Sequence, residues 1–228
     1  MGVEALIKEK LPELRNVGTP IILSIGGETE EEFVELIEFL TDVEGISGIE
    51  INLSCPNIGK RIFAQDPAVT GKLLENIRKN CRLPLIAKLS PQVTDITEIA
   101  RVCEEKGADA ISLINSFAGM AIDIDVRKPV LGNVTGGLTG PAVKPLALKM
   151  VWDVCRVVKI PVVGMGGIMS ASDAIEFMLA GAKAIAVGTA IFSNPDVPGE
   201  IVEGIEDYLV QNSFASVSQI VGNLSPSP

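Results

Sequence analysis

The stretch Asn52-Leu53-Ser54-Cys55-Pro56-Asn57, together with the apolar run before it, decides how the rest of the chain is interpreted. The run from Ile46 to Ile51 contains three isoleucines and is typical of a mostly buried strand. Pro56 cannot extend a central strand because it has no backbone N–H, so the chain must turn there. Two carboxamides and one thiol are therefore presented from the end of a strand, which is where an α/β barrel carries its chemistry.

The thiol of Cys55 is a candidate for moving a proton. The chain contains no histidine, so the usual general base near neutral pH is absent, and a cysteine, with an ordinary pKa of about 8.5, is the next candidate. Cys81, Cys103 and Cys155 lie within helix-like segments or just before a strand, and we expect them to be small buried hydrophobes. Cys55 could also be a small buried hydrophobe, but its neighbours, such as Asn52, are polar, so a functional role is an equal alternative.

Length and charge limit the class of protein. A chain of 228 residues suits one domain with a sizeable core, and we expect residues 1–224 to form it and residues 225–228 to be a frayed tail. The net charge of −10 argues against a general nucleic-acid binder, which needs a basic face. We find neither a run of 18 apolar residues nor a signal pattern, and the cysteines lack CxxC spacing. We therefore expect a cytoplasmic protein with no membrane association, no disulfide and no metal site on this chain.

Strand-like and helix-like segments alternate six times along the chain. The strands are short and almost continuously apolar, as in a parallel sheet that is covered on both faces. The predicted strands are Pro20–Ile25, Ile46–Ile51, Leu83–Leu89, Ala110–Ile114, Pro161–Met165 and Ala184–Val187. One long segment, Phe117 to Pro145, holds five glycines and is predicted to be a binding loop or lid.

The residues at the strand ends favour a barrel over an open doubly wound sheet, although alternation alone fits both. Polar residues or glycines follow strand after strand, and in a barrel they would converge on one rim. These residues are Gly26, Asn52, Lys88, Asn115, Gly166 and Gly188. The sequence thus predicts a TIM (β/α)8-type α/β barrel.

The last two strand ends suggest a phosphate site. Gly166-Gly167 and Gly188-Thr189 each follow a strand, and in barrels a phosphate commonly lies there, held by backbone N–H groups. Glycine lets the backbone approach the phosphate closely. The alternative is that both pairs are ordinary strand-to-helix turns.

Polar side chains at the other strand ends suggest a planar ligand. Lys88 lies near the end of an apolar strand, where a lysine is rarely structural unless paired, so it contacts a ligand or forms a salt bridge to a barrel carboxylate. Asn52, Asn57, Asn115 and Ser116 form a neutral hydrogen-bonding set that suits alternating N–H and C=O groups, as in a pyrimidine ring. Each of them could equally be a turn residue.

Six motifs in the same order and spacing make the chain resemble the dihydroorotate dehydrogenase family over nearly its whole length. They are Asn-Leu-Ser-Cys-Pro-Asn (52–57), Ala-Lys-Leu-Ser-Pro (87–91), Leu-Ile-Asn-Ser (113–116), Gly-Asn-Val-Thr-Gly-Gly-Leu-Thr-Gly-Pro-Ala-Val-Lys-Pro (132–145), Gly-Met-Gly-Gly-Ile (164–168) and Val-Gly-Thr-Ala (187–190).

The resemblance implies a flavin enzyme of pyrimidine biosynthesis with FMN on the barrel rim. Cys55 matches the base that removes a proton from C5 of dihydroorotate while a hydride passes from C6 to FMN. The positions that match substrate contacts are Asn52, Asn57, Asn115 and Ser116. The positions that match FMN contacts are Asn52, Lys88, Ile114, Gly140, Gly166, Gly167, Gly188 and Thr189.

The resemblance also implies a branch of the family. A cysteine base is typical of the soluble class 1 enzymes, and the stretch 133–145 looks most like the NAD-linked 1B branch. In that branch a partner subunit with FAD and a 2Fe–2S cluster relays electrons to NAD+. We also expect a homo-oligomer.

The number of βα units departs from the family's pattern. The family's barrel has eight units and this chain shows six, so we expect the first two strands to be missing. The alternatives are a truncated, non-catalytic fragment that binds at most a phosphate-bearing ligand, and the related pyrimidine-reducing family.

Overall fold

The structure, a computed structural model, describes residues 2–53 and 63–225, and its main feature is a sheet of six parallel strands. In chain order these strands are β1 (Ile22–Ile25), β2 (Gly48–Asn52), β3 (Leu85–Lys88), β4 (Ala110–Leu113), β9 (Val162–Met165) and β10 (Ala184–Ala186). Each pairs in parallel with the next, in the order in which they are named here. The segment between β4 and β9 holds β5 (Phe117–Met120), β6 (Ile122–Asp123), β7 (Lys128–Pro129) and β8 (Thr135–Leu138).

Helices follow the strands, as the alternating pattern predicts. The α-helices are α1 (Val3–Ala5), α2 (Leu11–Arg15), α3 (Glu30–Leu40), α4 (Pro67–Asn80), α5 (Ile96–Glu105), α6 (Lys144–Cys155), α7 (Ala171–Leu179) and α8 (Val197–Gln211). A π-helical turn, Leu6–Lys10, joins α1 to α2. The curled parallel sheet with its helices is a partial (β/α)8 barrel, so the predicted fold class is confirmed.

Period-two alternation sorts the strand side chains onto two faces. On β2, Ile49 and Ile51 are fully buried and belong to one core cluster with Phe33 and Ile37 of α3. Between those two isoleucines stands Glu50, whose side chain points to the opposite face. The apolar face therefore packs on the helices, whereas the other face carries polar groups.

Local caps fix where helices begin. Thr29 ends an extended stretch, and its Oγ1 accepts a hydrogen bond from the backbone N–H of Glu32 at 3.2 Å. The Glu32 carboxylate accepts from the N–H of Glu28 at 2.6 Å. Asp66 and Asp95 cap α4 and α5 in the same manner.

The long segment before α6, which is predicted to be a binding loop or lid, contains short strands. It forms two antiparallel pairs, β5 with β8 and β6 with β7. These strands have two to four residues, and β5 and β8 contain glycines, so the four strands carry little of the β-branched alternation by which strands are recognised.

Candidate active site

A cavity of about 410 Å³ lies at the carboxyl ends of the central strands, at the predicted rim. Its walls come from β2, from the ends of β3, β4, β9 and β10, and from the turn before α6. Among the residues that line it are Lys88, Ile114, Asn115, Ser116, Gly140, Gly166, Gly167, Gly188 and Thr189. The structure therefore brings together, in one cavity, residues that the sequence analysis names separately as substrate and FMN positions.

Asn52 stands beside this cavity. Asn115 donates a hydrogen bond from Nδ2 to Oδ1 of Asn52 over 2.9 Å, and Oδ1 of Asn115 accepts from the backbone N–H of Ser116 at 2.8 Å. The parallel register also sets Asn52 opposite Lys88. Cys55 and Asn57 lie outside the described residues, so their roles stay predictions.

Lys88 is paired with a carboxylate inside the sheet. Its Nζ lies 3.3 Å from Oε1 of Glu50, and both side chains line the cavity. The salt bridge that the sequence analysis leaves as an alternative is therefore present, and Lys88 faces the cavity as well. Glu50 is not among the predicted site residues, because it lies within the isoleucine run that marks β2.

Two hydroxyl groups complete the surroundings of Glu50. Ser112 donates to Oε2 at 2.7 Å, and Ser24 donates to Oε1 at 2.8 Å. The Glu50 carboxylate thus joins β1, β2, β3 and β4. Burying a carboxylate is costly unless it is paired and hydrogen-bonded, and these three donors satisfy that need.

The glycines at the rim have different surroundings. Gly167 has a φ of +77°, and a Cβ there would lie 2.7 Å from the carbonyl oxygen of Gly140 and 2.9 Å from the N of Lys144. Any side chain at Gly167 would therefore push two cavity loops apart. At Gly140 and Gly188, by contrast, a Cβ would meet no atom of the described residues within 4 Å. The described part of the chain thus leaves space beside these two glycines.

An ion-pair cluster ties together the same two loops. Lys144 Nζ lies 2.6 Å from Oδ1 of Asp173 and 2.9 Å from Oε1 of Glu176. Oδ2 of Asp173 accepts from the N–H of Met169 at 2.9 Å and from the hydroxyl of Ser170 at 3.0 Å. Since Met169 lines the cavity, the cluster holds one of its walls.

The charges of this cluster support each other. Hydrogen bonds to Asp173 and Glu176 raise the pKa of Lys144. Burial alone would raise the pKa of Asp173, but the hydrogen bonds from Lys144, Met169 and Ser170 outweigh it and hold that pKa below its ordinary value. No sequence pattern indicates this cluster, because Lys144 and Asp173 belong to different βα units.

The cysteines that the structure describes are held as neutral thiols. Burial raises the pKa of Cys103 to about 12 and that of Cys155 to about 11, and burial also raises the pKa of Cys81. Cys81 and Cys103 are buried as expected, whereas Cys155 is partly exposed. Within residues 2–53 and 63–225, no group of three or more Cys, Asp or Glu side chains could hold a metal ion.

The fold and the cavity define a partial α/β barrel with a cavity at the carboxyl ends of its strands, the end of such barrels that carries active sites. The sequence model of one family, described as dihydroorotate dehydrogenase, matches residues 1–209. The chain belongs to the dihydroorotate dehydrogenase family, which is a family of oxidoreductases. No helix in the described part of the chain combines the length and apolar character needed to cross a bilayer.

Curated relatives agree with this assignment. Two proteins named dihydroorotate dehydrogenase B (NAD(+)), catalytic subunit, from Geotalea uraniireducens and Citrifermentans bemidjiense, are each 50% identical to the chain over 226 residues. A protein of the same name from Geobacter sulfurreducens is also 50% identical. Each match covers 98% of this chain and 74% of the relative. The predicted family and the predicted likeness to its NAD-linked branch are confirmed.

Proposed function

We propose that this chain oxidises dihydroorotate to orotate in pyrimidine biosynthesis, with FMN bound in the rim cavity. The observation that carries the proposal is the convergence of the predicted FMN and substrate positions on one cavity. Its volume of about 410 Å³ lies in the range of about 300–1,000 Å³ that small-molecule and cofactor sites occupy. The family assignment makes dihydroorotate the first substrate to test.

The donor groups around the cavity fit a flavin mononucleotide. Gly166-Gly167 and Gly188-Thr189 offer backbone N–H groups for the phosphate, and no described atom would crowd a Cβ at Gly188. Lys88 supplies the cation that would face the ring system, with Asn52, Ile114 and Gly140 as further contacts. When bound, FMN would accept the hydride and hold its two electrons.

The residues on the substrate side suit a pyrimidine. Asn115, Asn52 and Ser116 form one hydrogen-bonded group, so their amides are held in fixed directions. We propose that these three residues, together with Asn57, form hydrogen bonds to the N–H and C=O groups of dihydroorotate. A fixed amide set of this kind orients the ring so that C5 and C6 face their reaction partners.

Cys55 is the proposed base. Its thiolate would remove the proton from C5 of dihydroorotate, next to the C6 whose hydride bound FMN would accept, so that the substrate would lose two electrons and gain a C5–C6 double bond. The raised pKa values of Cys81, Cys103 and Cys155 make these three thiols poor bases near neutral pH.

Electrons must leave the site for a further acceptor. The relatives carry "B (NAD(+)), catalytic subunit" in their name, and on this basis we propose a partner subunit that carries FAD and a 2Fe–2S cluster and delivers electrons to NAD+. We further propose that residues 1–224 form one FMN-binding domain, that the chain assembles as a homo-oligomer and that it works in the cytoplasm.

The visible spectrum of the purified chain with added FMN tests the proposal. We expect bound flavin that bleaches when dihydroorotate is added without oxygen. Cys55→Ser should keep FMN but reduce it at least about 100-fold more slowly, because removing a general base typically costs 10²–10⁴ in rate. Cys155→Ser is the matched control and should reduce FMN at the wild-type rate.

Two outcomes would contradict the proposal. Equal reduction rates for wild type and Cys55→Ser would remove the cysteine from its role as base. A chain that binds no FMN would favour the alternative of a non-catalytic fragment, for which the same cavity takes at most a phosphate-bearing ligand.

A further inference from the structure

At the cavity, four neighbouring strands carry polar side chains on the face away from the helices. These side chains are Ser24 on β1, Glu50 on β2, Lys88 on β3 and Ser112 on β4. The interior of a (β/α)8 barrel is usually filled by bulky branched residues. Polar side chains on this face therefore need a reason other than packing.

Glu50 is the centre of this polar group. Only 9% of the residue is exposed, and its two oxygens accept from Lys88, Ser24 and Ser112 over 2.7–3.3 Å. Lys88, in contrast, has a single carboxylate partner among the described residues and faces the cavity. The carboxylate is thus held from three sides, and the ammonium is held by the carboxylate.

The charges of this pair act on whatever occupies the cavity. In the pair as it stands, the single positive charge of Lys88 is offset by the single negative charge of Glu50 at 3.3 Å. A flavin ring that has accepted a hydride carries extra negative charge, and charges close to the ring tune its reduction potential. A lysine alone would raise that potential, and the buried carboxylate behind it would lower the potential again.

We propose that Glu50 is a positioning residue that sets the reduction potential of the bound flavin through its ion pair with Lys88. The inference rests on the proposed function, because it needs FMN in the rim cavity. It assigns a task to Glu50 and to the two serines that hold it, none of which is among the predicted substrate or FMN contacts.

Four forms of the protein test the inference by their charge. The net charge of the two side chains is zero in the wild type, +1 in Glu50→Gln and −1 in Lys88→Met. In the double variant Lys88→Met/Glu50→Gln the net charge is zero again. The substitution Glu50→Gln keeps the size of the side chain and an oxygen that can accept from Lys88. Each chain is loaded with FMN, and the midpoint potential and the FMN dissociation constant are measured.

The expected potentials follow the charge. Glu50→Gln should shift the midpoint potential to a more positive value than wild type and bind FMN more tightly, Lys88→Met should do the opposite, and the double variant should return close to wild type. If Glu50 acted in folding alone, Glu50→Gln would lower the stability of the protein. The midpoint potentials of the two single variants would then not shift in opposite directions, and the double variant would not cancel such shifts. If Glu50→Gln fails to fold, the comparison of Lys88→Met with the double variant still measures the contribution of Glu50.

Two results would overturn the inference and distinguish it from the proposed function. The first is that the wild type binds FMN but the midpoint potential of Glu50→Gln is unchanged or more negative. This result would reject the role of Glu50 and leave the proposed function intact. A wild-type chain that binds no FMN rejects both, because the ion pair then has no flavin to act on.

Discussion

At the scale of single residues, the environment of a thiol decides whether it can react. Cys103 lies on the buried face of α5, and its pKa of about 12 leaves almost no thiolate at neutral pH. The pKa of Cys155 is about 11, so partial exposure does not make it reactive. Since the thiolate is the nucleophile, these cysteines differ from a catalytic one in a way that labelling can measure.

We predict that iodoacetamide at pH 7.5 labels Cys55 before Cys81, Cys103 or Cys155. The raised pKa values of these last three thiols lower their thiolate fraction, and burial also restricts access to Cys81 and Cys103. Peptide mass spectrometry over a time course gives the order. Urea-unfolded protein, in which all four thiols should react alike, is the control. Faster labelling of Cys155 than of Cys55 would contradict the prediction.

Single residues also show what the sequence reveals. Lys88 stands out because a lysine interrupts an apolar strand, and a carboxylate partner is one of the two alternatives that follow from it. Glu50 does not stand out in the sequence, because the apolar pattern of the whole run predicts a buried strand despite one charged residue among the isoleucines. Its three partners are 26, 38 and 62 positions away, so only the parallel register brings them together.

At the scale of elements, the Lys144–Asp173–Glu176 cluster joins the beginning of α6 to α7 and to the turn that precedes α7. Asp173 contributes most of the hydrogen bonds, and its lowered pKa means that its ionised form is favoured in the folded protein. The contribution to stability is therefore present above the unfolded pKa of about 3.9 and is lost as the pH falls through the folded pKa. Lys144, with its raised pKa, contributes fully below about 10.4 and loses this contribution as the pH rises through its folded pKa.

We predict that Asp173→Asn lowers the free energy of unfolding at pH 7 by about 1–3 kcal/mol, because the partly buried Lys144 and the Met169 N–H lose a charged partner. The difference from wild type should shrink below about pH 4 and again above about pH 10, where one member of the pair loses its charge. Urea unfolding across this pH range measures it. Glu13→Gln breaks the exposed Lys10–Glu13 pair and, as the control, should change stability by about 0.5 kcal/mol or less. If the free energies of unfolding of wild type and Asp173→Asn differed by the same amount at all pH values, the ion-pair explanation would be rejected.

Elements also differ in how well the sequence predicts them. The six strands of the main sheet are recognisable because they are continuous apolar runs with clear ends. The segment from Phe117 to Leu138 reads as a loop, since its pairs are held mainly by backbone hydrogen bonds and its side chains are largely exposed. Ile122 on β6 is 59% exposed, so neither burial nor alternation marks these strands in the sequence.

At the scale of the whole molecule, the sheet has two edges. Among the described residues, β1 pairs only with β2, and β10 pairs only with β9. Ile22 on β1 is 56% exposed, and Phe192, just after β10, is 84% exposed. Unpaired backbone groups next to exposed apolar side chains are a template for pairing with another chain.

We predict that Ile22→Lys slows concentration-dependent aggregation at least severalfold, because a lysine on an edge strand opposes pairing with another edge. Light scattering during incubation at several protein concentrations measures the rate. Val202→Lys on α8 is the matched control, since Val202 is also 56% exposed but does not lie on a sheet edge. Equal slowing by both variants would attribute the effect to net charge rather than to the edge.

The carboxylate shared by β1, β2, β3 and β4 has a consequence for how this sequence can change over generations. Ser24, Glu50, Lys88 and Ser112 satisfy one another, so replacing one of them leaves a buried group without its partner. A substitution at any one of these four positions is therefore expected to lower stability unless the other positions change too. Among homologous chains, these positions should be inherited as a set, retained together or exchanged together for an apolar layer.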